Sequence, residues 1–61
     1  MAKLNEMELQ NLRELISAHQ TESTKLRTYA QRSNDPQVKQ MFEQGATSAD
    51  GTVQKLISFL R

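Results

Sequence analysis

Apolar residues recur along this chain in two long runs of alternating three- and four-residue spacing. Between the runs lies Ser33-Asn34-Asp35-Pro36, the one place where a proline sits among turn formers. The first run places Leu9, Leu12, Ile16, His19, Ser23, Leu26 and Ala30 on one face, widened by Leu15 and Tyr29. The second places Val38, Phe42, Gly45, Ala49, Thr52, Leu56 and Phe59 on one face, widened by Met41, Ala46, Val53 and Leu60. Such spacing marks one side of a helix, and nowhere do β-branched or aromatic residues alternate over the length of a strand. The pattern predicts an all-α fold, an antiparallel two-helix hairpin forming a single domain over residues 1–61. Its first helix covers about residues 5–33, the corner 33–36 and the second helix about residues 36–60.

The ends of the runs carry matching signals. Asn5 followed by Glu8 has the spacing of a capping box, with Leu4 and Leu9 placed as a hydrophobic staple around it. Asp35 is placed to cap a second helix that begins at Pro36, since proline there gives up an amide that has no helical partner anyway. Asp50-Gly51 is a turn signal inside the second run, but the apolar spacing keeps its phase to Leu60, which favours one continuous helix. Arg61 ends the chain with a cation suited to a helix C-terminus.

Folding about Asn34 and Asp35 sets Leu26 near Phe42, Ser23 near Gly45 and Ala46, and His19 near Ala49. Further out, Ile16 falls near Thr52 and Val53, and Leu12 near Leu56. The polar middle of the first face thus meets the small middle of the second, which lets the backbones approach or leaves room for a residue from another copy.

Size changes the picture. Sixty-one residues bury a smaller fraction of their surface than larger domains do, and small scaffolds are commonly stapled by disulfides, metals or self-association. The chain has no cysteine, which removes disulfides and cysteine zinc sites and leaves self-association. A homodimer closing into a four-helix bundle is therefore expected. Its interface would use Leu9, Leu12, Ile16, His19, Ser23 and Leu26 from the first helix and Phe42, Gly45, Ala49, Val53, Leu56 and Leu60 from the second. Glu8 with Arg13 and Glu22 with Arg27 have the offset of pairs that link parallel coiled-coil helices, a minor vote for a parallel arrangement.

The formal net charge of +1 provides no strong field to attract nucleic acid or an acidic membrane, and no apolar run approaches a bilayer span. With no signal-peptide pattern either, a cytoplasmic, soluble protein is expected. One histidine, no cysteine and no tryptophan leave little catalytic chemistry and no recognisable phosphate loop, so no catalytic residue and no cofactor is expected. His19 and Glu22, three apart on one helical face, are the candidate metal ligands, because a symmetric dimer would present them twice. The preferred reading of His19 is a polar seam residue, hydrogen-bonded across the interface and fixing register, so no metal site is expected.

The run Leu26-Arg27-Thr28-Tyr29-Ala30, then Asn34-Asp35-Pro36-Gln37-Val38-Lys39, Met41-Phe42 and the closing Lys55-Leu56-Ile57-Ser58-Phe59-Leu60 resembles the small spore coat protein F-like families of endospore-forming bacteria. The likeness covers roughly residues 12–60. It implies a helical, ferritin-like unit with a structural role in sporulation, located in the forespore, mother cell or spore coat, and another coat or helical protein as a further partner. The carboxylate ligands of true ferritins have no counterpart here. The combined expectation is a non-enzymatic structural or interaction protein. A metal- or ligand-binding bundle centred on His19 and Glu22, or an adaptor for a partner helix, stands as the alternative.

Overall fold

The computed structural model describes residues 4–60, and within them the chain is two helices and a short corner. Helix α1 spans Glu6–Arg32 and α2 spans Pro36–Ser58, and no strand occurs among the described residues. Arg61 lies outside the described residues.

Each boundary follows from local chemistry. Asn5 accepts a hydrogen bond from the Glu8 amide at 2.7 Å, while the Glu8 carboxylate accepts one from the Asn5 amide at 3.1 Å. Two amides of the first turn that have no helical partner are thereby satisfied. Glu6 and Glu8 sit in the first turn of α1 and Arg32 in the last, the arrangement that the helix macrodipole favours. The Asp35 side chain accepts from the amides of Gln37 and Val38, and Pro36 opens α2. Ser33 and Asp35 both have extended backbone angles, so α1 cannot run on into α2 and the chain reverses within three residues. At its far end α2 loosens into a turn at Phe59 and Leu60 instead of remaining helical to residue 60.

Residue pairs along the contact establish the antiparallel sense. Tyr29 stacks edge-on against Phe42 near the corner, with ring centroids 5.6 Å apart, and Ser23 bonds to Asp50 farther down. Leu26 lies against Gly45: a Cβ added there would come within 3.2 Å of Leu26 Cδ1. Leu26 thus meets a residue three positions beyond Phe42, and Ser23 one four to five positions beyond Ala46 and Gly45, a change of about one helical turn. The cause is side-chain direction. Helical side chains tilt toward their own N-terminus, so in an antiparallel pair those of α1 lean away from the corner and those of α2 lean toward it. A given α1 side chain thus meets an α2 residue farther along the chain than a fold about the turn would suggest.

The interior is built mainly of small residues. Ala30, Ala46, Ala49 and Val53 are buried together with Leu12 and Ser23, and among the described residues no large side chain is fully enclosed. Asp50-Gly51 does not interrupt α2, because the backbone of Gly51 keeps a negative φ and the helix continues through it to Ser58.

The two glycines of α2 make a controlled comparison. A Cβ on Gly51 meets nothing within 4 Å, so Gly51→Ala should gain helix propensity without cost, about 1 kcal/mol. That corresponds to a rise of about 4–8 °C in thermal midpoint, measured at fixed protein concentration. Gly45→Ala should gain less, because Leu26 must move to admit the methyl group.

Candidate functional site

The polar residues of the hairpin converge at its centre. Ser23 lies on the inner face of α1 and is the one buried polar side chain among the described residues. A hydroxyl there needs a partner, since burying it unpaired costs roughly 1–3 kcal/mol. Its Oγ donates to Asp50 Oδ1 at 2.6 Å. One turn along α1, Arg27 reaches the same groups: Nη2 donates to Asp50 Oδ2 at 2.6 Å, and Nη1 donates to Ser23 Oγ. The carboxylate is held through both oxygens, and the hydroxyl both donates and accepts. Among the described residues no buried side-chain nitrogen or oxygen lacks a partner.

Hydrogen bonds from Arg27 and then Ser23 hold the Asp50 carboxyl below its ordinary value of 3.8, outweighing the desolvation that opposes them. A carboxylate in that condition is a poorer base than a free one. It orients the Ser23 hydroxyl without being suited to remove its proton, so the cluster has the chemistry of a bracket between helices and lacks that of an activated nucleophile. Beside it runs an open groove of about 280 Å³ lined by Arg27, Ala30, Gln31, Glu43 and Thr47. The guanidinium in that groove is already matched by Asp50, and Glu43 adds a second negative group, so the groove offers an anion little net attraction.

His19 occupies a half-buried position on α1. Its Nδ1 lies 2.8 Å from the Leu15 carbonyl oxygen one turn back. A carbonyl can only accept, so Nδ1 carries a proton and donates. The ring is therefore tied to its own helix, and within one chain it makes no bond across to α2. Glu22 is exposed, and among the described residues no group of three or more His, Asp or Glu side chains converges as a metal site would require.

Of the residues expected at an interface between copies, Leu12, Ser23, Ala49 and Val53 are buried within one hairpin, while Leu9, Ile16, His19, Leu26, Phe42, Gly45 and Leu56 are half-buried along the same contact. Leu60 is exposed. Asn5, Asp35 and Pro36 occupy the helix starts.

The bracket itself is what the sequence pattern leaves hidden. Asp50 falls outside the apolar spacing of α2 and reads as a turn residue beside Gly51, and Arg27 reads as a partner for Glu22 in a parallel coiled coil. In the structure Arg27 turns to Asp50 instead, because the one-turn change of register brings Asp50 opposite Ser23. The available signal was the Ser23-Arg27 spacing of four, which stacks a donor and a buried hydroxyl on one face.

The shift of Asp50 fixes the sign of a pH effect. A carboxyl whose folded pKa is depressed contributes stability that is present above its unfolded value and lost as pH falls through its folded value. The thermal midpoint should drop on acidification below about pH 4, near the ordinary carboxylate range. In Asp50→Asn, which starts lower at neutral pH, that part of the acid drop should be absent. Ser23→Ala should cost about 1 kcal/mol, since Arg27 and Asp50 still pair without the hydroxyl.

No family model matches the chain, and neither the curated proteins nor the solved structures include a match to it.

Proposed function

We propose that this protein is a non-enzymatic structural element, a helical hairpin that self-associates into a four-helix bundle. The observation that carries the reading is unburied apolar surface. A folded monomer of 7.0 kDa ordinarily exposes about 4,000 Å², whereas this chain exposes 4917 Å². Large apolar side chains are among those left uncovered: Met7, Leu15, Tyr29, Met41, Phe59 and Leu60 are all exposed. Two helices present one contact to each other, and the remaining apolar positions need a further helix layer. A second copy provides two.

The resemblance to the coat protein F-like family proposes a sporulation-associated setting for this role, and it rests on sequence likeness alone. No helix among the described residues is long and apolar enough to cross a membrane.

Sedimentation equilibrium from about 1 to 100 μM should give twice the 7.0 kDa chain mass over the upper part of that range, with the thermal midpoint rising with concentration. A fully helical chain that remains monomeric throughout would remove the proposal.

A further inference from the structure

We propose that the second copy seats on one flank of the hairpin only, the flank carrying Leu15 and Tyr29 of α1 with Met41 and Phe59 of α2. This rests on the self-association proposed above and adds where it occurs. The Arg27-Asp50 ion pair at 2.6 Å marks the two sides of the molecule. At about 100° per residue, Tyr29 lies roughly 160° and Leu15 roughly 120° around α1 from Arg27. Met41 and Phe59 are each nine positions from Asp50, which sets them about 180° around α2 from it. The exposed apolar residues of both helices therefore share the side away from the ion pair. The side with the ion pair carries Arg13, Gln20 and Arg27 along α1 and Lys39, Glu43 and Asp50 along α2.

Three observations favour a second copy as the occupant. The exposed area exceeds that of an ordinary folded monomer by about 900 Å², close to the roughly 800 Å² that each partner contributes to a standard interface. The flank is also self-complementary. It is apolar near the corner, at Tyr29 and Met41, and apolar again toward the open end, at Leu15 and Phe59, with the small residues Ala18, Ser48 and Thr52 between. A two-fold axis across the hairpin brings the corner end of one copy onto the open end of the other. There, an apolar groove of about 470 Å³ lined by Asn11, Glu14, Leu15 and Ala18 receives Tyr29 or Met41 of the second copy. Finally, the charged residues on this side, Glu14, Glu22, Lys25 and Lys55, are two of each sign, so the flank carries no net charge to repel a second copy.

The test compares charge placed on each flank, read by sedimentation with helicity monitored by circular dichroism. Met41 is 63% exposed, so Met41→Lys leaves the hairpin intact. It should weaken dimerisation about tenfold for each copy that carries it, about a hundredfold in Kd. Leu15→Lys should act similarly, and Gln20→Lys on the opposite flank should leave Kd within about twofold. A wild-type chain that is folded and monomeric overturns the self-association itself. A wild-type dimer that tolerates Met41→Lys and Leu15→Lys, or is broken equally by Gln20→Lys, overturns only the choice of flank. Because the chain has no cysteine, single cysteines report geometry directly. Oxidation of Met41→Cys mixed with Leu15→Cys should cross-link faster than either alone, and the reverse order rejects the crosswise two-fold.

Discussion

Everything in this hairpin depends on how closely two helices can approach where one of them presents almost no side chain. Gly45, Ala46 and Ala49 form that layer of α2, and Ala46 has no exposed surface at all. Close approach lets the short Ser23 side chain reach Asp50 directly. Small residues, however, bury little apolar area, and at about 25 cal/mol per Å² a contact of alanines and a glycine is a weak source of stability. The larger apolar side chains are displaced to the edges of the contact, and most of them remain half-exposed or exposed.

The polar bracket answers a different need. Apolar layers of similar size can slide past each other by a turn at modest cost, whereas a buried hydroxyl paired to one carboxylate is satisfied in one alignment only. The Arg27-Asp50 pair is about half exposed at both ends, so its value lies less in stability than in excluding neighbouring registers. Tyr29 against Phe42 near the corner acts in the same sense. The ion pair marks one flank and leaves the opposite one, which carries Tyr29, as the apolar side of the molecule, which connects the internal alignment to the surface open for a second copy.

The starts of both helices were legible from the sequence because capping chemistry is local. Asn5 with Glu8, and Asp35 with Pro36, act over three or four residues and depend on nothing distant. The same holds for the hairpin itself, since two apolar faces joined by a three-residue corner have little choice but to fold back on each other. Gly51 was legible for the same reason: helical phase continues through it to Leu56.

Register and the polar bracket were not legible. Counting outward from the corner pairs Leu26 with Phe42, and that count omits the opposite tilt of side chains on antiparallel helices, which moves each contact along by about one turn. Asp50 looked peripheral for the same reason. The sequence by itself determined two amphipathic helices, their caps and their reversal, because each follows from interactions within one or two turns. Only the tertiary structure decided which residues face each other and which flank stays uncovered, because these depend on side-chain direction and on where a buried hydroxyl finds its partner.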